Sequence, residues 1–558
     1  MRIVILGVAS LIVLAFNAFC SAFEPPETSE VALYNARLIP APRDIQYGNG
    51  VVVFNRELRC ILLTSNDEAQ RVDATDLDAL RASASKDFGV ELVFERFSID
   101  EFMRQDDEAP QELLDFTQRL ADDAEFFKTT NAYRMLALAD PSAKDATVDA
   151  IVERRNQWKG TLVIAGSDLS GIRDAFKTLR QLSETFAVSA TIDDSSFFIP
   201  EIKVDDAPRL SFRGLHLCWF PETKGTDIER SIRIAAYYKF NYIVLEFWGV
   251  FPFDACDALC WSEFHTTKAE VARLVKVGKE LGVRLIPQFN LFGHAPGARV
   301  ASGKHAILDF HPEYEPLFEP DGWTWNVYNP ATRELLTKCV WELFETFEQP
   351  PYFHIGCDEA YSAGSNFVAR RRGDYPDALA DWITYFRNLL NQRDCRVMMW
   401  HDMLIEGESF PGYTASGNEK TRGLLEKLPK DIIICDWQYG APKKDETWPT
   451  LDYFTESGFD VLACPWLNLE GIRSLAGNVI ENDRFGVLCT TWHKFYNGDM
   501  PRVLAVGAQA CWGTKYQGSA PFGNVFNRHL RQASRDVLDK DYRTGGVGDW
   551  QVPKDVVV

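Results

Sequence analysis

The chain has few cations relative to its acids. Its 558 residues include 59 Lys and Arg against 80 Asp and Glu, which leaves a formal net charge of −21. Nucleic-acid binding needs clustered cations, so this balance excludes a typical nucleic-acid partner. Hydrophobic residues make up 46% and charged residues 25%. This globular composition also excludes a mostly disordered chain and a membrane protein with many spans.

Long apolar runs are also scarce, because only the N-terminal segment has one. Met1-Arg2 precedes an apolar stretch from Ile3 to Phe16, and the small residues Ser21-Ala22 follow. A basic start, a short apolar stretch and small residues at a cleavage point predict a signal peptide over residues 1–22. The alternative is a membrane anchor. We therefore expect a secreted or periplasmic protein with no membrane span in the mature chain.

The twelve cysteines lack the spacing of a disulfide framework or a zinc site. Most lie in or beside short apolar runs, which is typical of small buried hydrophobic residues. Cys256 and Cys260 form the one local pair that could bridge, and no second Cys or His pair accompanies them as zinc would require. We predict no metal and no cofactor.

From residue 209 onward the pattern becomes repetitive. Eight short apolar runs alternate with amphipathic stretches, over 213–219, 242–248, 283–290, 352–357, 395–400, 431–437, 459–466 and 486–492. Capping boxes at Thr226–Glu229 and Thr267–Glu270, and the pair Asn329-Pro330, predict helix starts between them. Strands that are apolar throughout predict a (β/α)8 barrel over 209–515. The alternative, an open doubly wound sheet, would favour a Gly-rich phosphate loop that the sequence lacks.

The flanking parts follow from composition. Residues 36–208 predict a small N-terminal α/β domain of strands and helices, with an acidic helical insertion over about 98–157. We predict a C-terminal tail over residues 516–558, without a fold of its own that the sequence indicates. The oligomeric state cannot be inferred from these patterns.

Tryptophan marks the ends of the barrel runs. Six of the eight runs end in this residue: Trp219, Trp248, Trp400, Trp437, Trp466 and Trp492. Chemistry in such a barrel takes place at the C-terminal ends of its strands. A shared position there predicts an aromatic wall around a ligand with apolar faces and polar edges, such as a sugar.

Two adjacent carboxylates, Asp358 and Glu359, follow the fourth run directly. Paired carboxylates at a saccharide pocket suit glycoside hydrolysis, but neighbours in sequence cannot lie on opposite sides of a sugar ring. They can act from one side if a 2-acetamido group of the substrate supplies the nucleophile. Glu359 is then the general acid and base, and Asp358 holds the acetamido N–H and balances the developing charge.

These residues lie within motifs that resemble glycoside hydrolase family 20, the β-N-acetylhexosaminidases. The motifs, in chain order, are residues 39–42 (IPAP), 178–182 (TLRQL), 206–215 (DAPRLSFRGL), 293–294 (GH) and 354–359 (HIGCDE). The last of them looks most like the hexosaminidase D branch. The resemblance implies a retaining enzyme that removes terminal β-linked N-acetylglucosamine or N-acetylgalactosamine from a glycan.

The resemblance also implies roles for individual residues. Arg213 should bind sugar hydroxyls, and His294 should position the acid or relay its proton. The remaining expected sugar contacts are Trp400, Asp402, Trp437, Tyr439, Trp466 and Trp492.

The sequence departs from the family pattern before the Gly293-His294 pair. Gln288 and Asn290 stand where the family usually has carboxylates. This departure keeps open a carbohydrate-binding protein that retains the aromatic pocket without turnover. A third possibility is a barrel glycosidase acting on non-acetylated sugars, which would need a second acid such as Asp402 or Glu246 near Glu359.

Overall fold

The structure is a computed structural model, and it describes the chain from residue 28 to residue 529 with gaps. The described residues are 28–55, 57–105, 109–143, 147, 150, 153–154, 157–185, 197–260, 263–297, 307–442, 448–492, 500–515 and 529. They divide between Pro208 and Arg209 into two compact units. None of their helices combines the length and apolar character needed to cross a membrane. The predicted signal peptide, and the predicted tail except for His529, lie outside the described residues.

The first unit is a mixed sheet with helices packed against it. Its strands are β1 (Asp44–Phe54), β2 (Arg59–Thr64), β3 (Phe94–Ser98), β4 (Tyr133–Leu138), β5 (Thr161–Gly166), β6 (Glu184–Thr185) and β7 (Phe197–Asp206). The sheet order is β1-β7-β4-β5-β2-β3, and β6 pairs with β7. Its helices are α1 (Thr28–Arg37), α2 (Ala74–Phe88), α3 (Ile99–Gln105), α4 (Gln111–Asp122) and α5 (Leu169–Leu182).

The prediction of a helical insertion over 98–157 is partly wrong. Helices α3 and α4 lie in this stretch, but so does strand β4, which pairs with both β5 and β7 inside the sheet. Four of the six residues of β4 are buried, and the other two are half-buried. The strand was not predicted because it is short and lies within an acidic stretch of the sequence.

The second unit is a closed barrel of eight parallel strands. The strands are β8 (Phe212–Trp219), β9 (Tyr242–Phe247), β10 (Arg284–Gln288), β11 (Tyr352–His354), β12 (Arg396–Trp400), β13 (Ile433–Trp437), β14 (Asp460–Cys464) and β15 (Gly486–Cys489). They pair in chain order, and β15 closes the barrel against β8. All eight residues of β8 are buried, because helices cover the outside of the barrel while side chains fill its interior. The predicted barrel is confirmed.

Helices follow the strands around the barrel. They are α6 (Gly225–Tyr237), α7 (Lys268–Glu280), α8 (Ile307–Phe310), α9 (Pro330–Thr346), α10 (Phe367–Arg372), α11 (Tyr375–Asn391), α12 (Leu424–Lys427), α13 (Pro449–Glu456), α14 (Leu469–Glu481) and α15 (Met500–Trp512). Thr267 caps α7 and Asn329 caps α9, as the sequence predicts. The predicted cap at Thr226 is wrong, since α6 begins at Gly225 and Asp227 accepts a hydrogen bond from the backbone of Lys224.

Candidate active site

The carboxylate pair lies at the C-terminal mouth of the barrel. Strand β11 ends at His354, and the chain then turns through Gly356 to place Asp358 and Glu359 beyond the strand end. Gly356 has a φ of +65°, and a Cβ there would clash with the Asn290 side chain. Asp358 is 5% exposed, whereas a third of the Glu359 side chain is exposed. The two neighbours therefore have different surroundings: one carboxylate is buried and the other faces the opening.

His294 joins the two carboxylates. Its Nε2 lies 3.2 Å from Asp358 Oδ2 and 3.2 Å from Glu359 Oε2. The close approach depends on Gly293, because a Cβ at that position would clash with the backbone carbonyl oxygen of Asp358. The Gly-His pair after β10 thus packs directly onto the Asp-Glu pair after β11.

The charge of His294 is set by its neighbours. Burial alone would lower the pKa of His294, but the Asp358 and Glu359 carboxylates outweigh it and raise the pKa to about 10. The imidazole is therefore protonated at neutral pH. It holds a positive charge between the two carboxylates.

Backbone strain accumulates at the same place. His294, Cys357, Glu359 and Trp492 all have positive φ angles, between 21° and 77°. Non-glycine residues rarely adopt this region, and where they do the surrounding structure has to hold them. Four such residues in the loops at one mouth of the barrel point to a functional site.

Aromatic side chains form one wall of the mouth. Trp400 packs against Trp492 with ring centroids 5.3 Å apart, and Trp437 stacks on Tyr439 at 5.1 Å. Tyr439 meets Trp466 edge to face at 5.3 Å. The Trp492 indole N–H donates to the Tyr439 hydroxyl, which joins the two pairs. The structure therefore brings together the five aromatic residues predicted to contact the sugar.

Trp219 does not belong to this wall. Inward and outward positions alternate along a strand, and the barrel interior takes Phe212 from β8. Trp219 is then an outward position; it stacks on Phe247 and donates its indole N–H to the Thr223 carbonyl at 3.0 Å. It is a packing residue between the barrel and its outer layer.

Several buried polar atoms of the mouth have no hydrogen-bond partner in the described structure. They are Asp358 Oδ1, Asp402 Oδ1, His294 Nδ1, Trp400 Nε1 and Trp437 Nε1. Buried polar groups are almost always paired, so a concentration of unpaired acceptors and donors at one place indicates a polar ligand site. Both acceptors and donors are available there, as recognition of hydroxyl and amide groups requires.

Asp402 supports the acid loop from the next strand. Its Oδ2 accepts the backbone N–H of Glu359 at 3.1 Å, and the residue is fully buried. Burial and the neighbouring Asp358 carboxylate raise the pKa of Asp402 to about 6. Asp402 thus combines a positioning contact with one acceptor oxygen left for a ligand.

A second polar layer lies inside the barrel on β8, β9 and β10. Glu246 accepts hydrogen bonds from His216 at 3.1 Å, from the Asn290 amide at 2.7 Å and from the Cys218 thiol at 3.6 Å. Gln288 in turn donates to Asn290 at 3.1 Å. Burial would raise the pKa of Glu246, but the bond from His216 lowers it overall. The two amides that depart from the family pattern thus belong to a network centred on a buried carboxylate.

Three residues of this layer could hold a metal ion. The ligand atoms of His216, Cys218 and Glu246 lie within 4.8 Å of one another, and no other such group occurs among the residues that the structure describes. Their mutual hydrogen bonds already satisfy the Glu246 carboxylate, so the donor set does not require an ion. The absence of a metal from the active protein stays a prediction.

The predicted role of Arg213 is wrong. This residue is the second of β8, at the end of the barrel opposite the acid pair, and it occupies an outward position on the strand. Its guanidinium donates to the carbonyls of Leu210 at 2.7 Å and Lys239 at 3.0 Å, and it lies 5.1 Å from the ring centroid of Trp512. Arg213 therefore ties β8 to the outer layer and cannot reach a sugar at the mouth.

Two tryptophans of the long segment after β10 hold the loops of the site by hydrogen bonds to their backbone. Trp323 donates its indole N–H to the Glu359 carbonyl at 3.0 Å and packs on His294 at 4.4 Å. Trp325 is fully buried and donates to the Asn290 carbonyl at 2.9 Å. Both side chains therefore support the catalytic loops.

Sequence reasoning missed His216 and Tyr361. His216 could have been found, because it lies two residues before Cys218 in the same strand. The two side chains therefore lie on one face of the strand and point into the barrel. Tyr361 had no signal, since it lies in a loop whose conformation depends on tertiary contacts. Partial burial of its hydroxyl and the nearby Glu359 carboxylate raise the pKa of Tyr361.

Cys256 and Cys260 both carry free thiols, so the pair does not bridge. All other cysteines of the described residues are free as well.

A parallel (β/α)8 barrel with an acid pair, a bridging histidine and an aromatic wall at its mouth defines the class of barrel glycosidases. Residues 258–504 match the model of "Glycosyl hydrolase family 20, catalytic domain". The barrel of this chain is therefore similar to the catalytic domain of glycosyl hydrolase family 20.

Individual relatives are distant. A lacto-N-biosidase of Bifidobacterium bifidum is 25% identical over 47% of this chain and 22% of its own length. A chitooligosaccharidolytic beta-N-acetylglucosaminidase of Ostrinia furnacalis is 22% identical over 50% of this chain and 53% of its own. Hexosaminidase D of Bos taurus is 21% identical over 46% of this chain and 76% of its own. The chain thus spans about half or less of the length of the first two of these relatives and about three quarters of the third.

Solved structures share the fold over most of the chain. A chitobiase of Flavobacterium johnsoniae superposes with a TM-score of 0.59 at 16% identity, over 90% of this chain and 73% of its own. An exo β-N-acetylglucosaminidase of Vibrio harveyi, solved with N-acetylglucosamine, gives 0.60 at 15% identity, over 95% and 80%. At these identities the likeness concerns the architecture alone.

Proposed function

We propose that this protein is a glycoside hydrolase that removes a terminal β-linked N-acetylhexosamine from a glycan, with retention of configuration. The observation that carries the proposal is the arrangement of Asp358 and Glu359. They are adjacent in sequence, bridged by His294, and placed beside an aromatic wall with unpaired polar atoms. The match of residues 258–504 to the family 20 catalytic domain supports the hexosaminidase class of activity.

The positions of the two acids support substrate assistance. Glu359 is the more exposed one, so its carboxyl group can reach a glycosidic oxygen and give it a proton. The acetamido oxygen of the same sugar attacks C1 as the C1–O bond breaks, and an oxazolinium ion forms. Asp358 has a buried oxygen, Oδ1, without a partner. That oxygen can accept the acetamido N–H and stabilise the positive charge.

The second half of the reaction returns the enzyme to its starting state. Glu359, now a carboxylate, takes a proton from water as the water oxygen attacks C1. The oxazolinium ring opens, and the free sugar leaves with its original β configuration. The positive charge of His294 stays between the two acids in both steps and limits their mutual repulsion.

Substitution of the two acids tests the proposal. Glu359→Gln should lower kcat/KM on a chromogenic N-acetylhexosaminide by roughly 10²–10⁴, because proton transfer to the leaving oxygen is lost. Asp358→Asn should lower it by roughly 10²–10³, because the oxazolinium charge loses its partner. Both the glucosamine and the galactosamine substrates should be measured.

A surface carboxylate serves as the control. Glu68 belongs to another Asp-Glu pair and is exposed, so Glu68→Gln should leave activity unchanged. Full activity of Glu359→Gln at an unchanged thermal midpoint would contradict the proposal. Activity of the wild type on plain glucosides or galactosides would instead favour a glycosidase that works without substrate assistance.

A second candidate is a sugar-binding protein without turnover, which the amides at Gln288 and Asn290 favour. Both lie in the polar layer around Glu246 and supply hydrogen-bond donors in place of acids. Sugar binding by calorimetry in the absence of any turnover would identify it.

We also propose that the protein is exported, on the basis of the predicted signal peptide at residues 1–22, which lies outside the described residues. The N-terminal residue of the mature chain, determined in the native host, tests this.

A further inference from the structure

A polar cavity lies on the outside of the barrel, between helices α9 and α11. Its volume is about 570 Å³, within the range of about 300–1,000 Å³ that is typical of small-molecule sites. The lining comes from the first half of each helix and from Tyr328, just before α9. Each barrel helix begins at the rim where the preceding strand ends. The cavity therefore lies in the mouth-side half of the outer layer, and it shares no lining residue with the acid pair or the aromatic wall.

The sides of the two helices that line the cavity are polar. Arg333 and Thr337 are four residues apart on α9, and on α11 the same spacing joins Asp377, Asp381 and Tyr385. Residues at this spacing share one face of a helix. A polar face of a surface helix normally points to bulk solvent. Here two such faces meet across one cavity.

Most of the charged groups around the cavity are already paired. The pairs are Glu334 with Lys338 at 2.9 Å, Asp374 with Arg372 at 3.1 Å, and Asp377 with Lys427 at 2.7 Å. The exceptions are Arg333 and Asp381, whose side chains have neither a hydrogen bond nor an ion pair with any residue that the structure describes. One cationic and one anionic group of the lining therefore remain available to a ligand.

Aromatic rings hold the Arg333 guanidinium in place. It lies 5.5 Å from the ring centroid of Trp382 and 5.0 Å from that of Tyr385. Trp382 is fully buried, and the Tyr385 hydroxyl lies 3.0 Å from the Thr337 hydroxyl. Packing on a ring uses the face of a guanidinium and leaves its N–H edge available. Because the group is already ordered, its hydrogen bonds to a ligand carry a small entropy cost.

The charges around the cavity favour a neutral ligand. Four carboxylates and three cationic groups line it, so a ligand ion of either sign meets like charges there. A sugar hydroxyl accepts a hydrogen bond from a guanidinium and donates one to a carboxylate, so a neutral sugar satisfies both Arg333 and Asp381. The rings of Tyr328 and Tyr385 add aromatic surface of the kind on which the C–H face of a sugar packs.

We propose that this cavity is a second carbohydrate site, in which Arg333 donates to and Asp381 accepts from the hydroxyl groups of neutral sugar rings. The site goes beyond the proposed function, because it takes no part in bond cleavage and does not depend on the role of Glu359. Its effect is to keep a glycan on the protein, since a chain held there is present at a high effective concentration near the mouth.

Calorimetry with three trisaccharides of different charge tests the ligand class. The probes are the trimers of N-acetylglucosamine, which is neutral, of galacturonic acid, which is negative, and of glucosamine, which is positive. The Glu359→Gln background prevents turnover. The neutral trimer should bind at two sites per chain, one at the mouth and one at the cavity. Neither charged trimer should bind at the cavity.

Two variants locate the second binding event. Arg333→Met and Asp381→Ala should each weaken it by roughly tenfold or more, because a hydrogen bond to a charged group is lost. The event at the mouth should stay unchanged. Methionine keeps an unbranched stem against Trp382, and Asp381 is exposed, so both variants should fold. If Arg333→Met still lowers the thermal midpoint, Asp381→Ala decides.

Matched control variants lie outside the cavity. The Arg393 guanidinium lies 5.8 Å from the ring centroid of Trp341, and Glu280 is exposed at the end of α7. Arg393→Met and Glu280→Ala should leave both binding events unchanged. Binding of the neutral trimer that neither Arg333→Met nor Asp381→Ala weakens, or that the controls weaken equally, would overturn the proposal. Tighter binding of a charged trimer at the cavity would overturn it as well.

Failure of the proposed function would look different. In that case the wild type hydrolyses no N-acetylhexosaminide, and the event at the mouth is absent. The neutral trimer should then still bind at one site per chain, and Arg333→Met and Asp381→Ala should still weaken that binding.

Discussion

His294 is the residue whose charge depends most on its neighbours. An isolated imidazole titrates near pH 6.5, and two carboxylates raise the pKa of His294 to about 10. A pKa that is higher in the folded than in the unfolded state stabilises the fold fully below the unfolded value. This stabilisation is lost as the pH rises towards the folded value. The window for His294 is therefore about pH 6.5 to 10.

The comparison of the wild type with His294→Gln tests this assignment. The wild type should have its largest advantage in unfolding free energy near pH 6. The advantage should shrink by up to about 1.4 kcal/mol per pH unit through the window, since one proton is lost in it. Urea unfolding at several pH values measures the difference. A gap that stays constant or widens with pH would contradict a charged His294.

Trp437 represents the aromatic wall at the residue scale. It is half-buried, and its indole nitrogen has no partner in the described structure. Trp437→Ala should raise KM for an N-acetylhexosaminide by roughly tenfold or more, because apolar contact and a hydrogen-bond donor are both lost. The free energy of unfolding should fall by only about 1–3 kcal/mol.

Trp341 on α9 is the matched control for that prediction. It is also half-buried and packs edge to face on Phe344 of the same helix. Trp341→Ala should lower stability by a similar amount and leave KM unchanged. A rise in KM in both variants would mean that loss of tryptophan acts through general destabilisation.

At the scale of elements, the acid pair depends on how two loops meet. The loop after β10 approaches the loop after β11 so closely that no side chain fits at Gly293. Gly293→Ala should therefore displace His294 from Asp358 and Glu359. We expect a loss of kcat/KM of about a hundredfold or more, since small displacements in a site can have effects of this size.

Gly477 on α14 provides the comparison. A Cβ there meets no atom within 4 Å, and the residue is helical, so Gly477→Ala should raise stability slightly and leave activity unchanged. Steady-state kinetics and thermal unfolding of the two variants are the measurements. Wild-type activity in Gly293→Ala would show that the loops have room that the structure denies them.

The local signals differed in how well they predicted elements. Thr267 and Asn329 cap their helices as predicted, because a side-chain oxygen beside the first turn is a local requirement. The predicted cap at Thr226 is wrong, because the helix begins one residue earlier and the Asp227 side chain bonds to the backbone of Lys224. Strand β4 was not predicted, because it is stabilised by pairing with β5 and β7, which come later in the chain. Such pairing is only weakly encoded in the sequence of a short segment.

At the scale of the whole molecule, the cysteines predict how the protein responds to reductant. All cysteines of the described residues are free, and nearly all of them are buried. Burial raises the pKa of Cys60 to about 12, which keeps the thiol protonated and unreactive. The thermal midpoint should therefore be the same with and without a reductant. A fall of several degrees on reduction would indicate a disulfide that stabilises the fold.

The sequence by itself determined the barrel, the positions of the acid pair and the place of the tryptophans at strand ends. These features follow from local rules, since apolar runs make buried strands and each chain turn after a strand lies at one rim. Only the tertiary structure decided which side chains meet. It separated Arg213 and Trp219 from the mouth, because one register step along a strand reverses the direction of a side chain. It also brought Tyr361, His216 and Trp323 to the site, because contacts between distant loops and strands depend on the closed barrel as a whole.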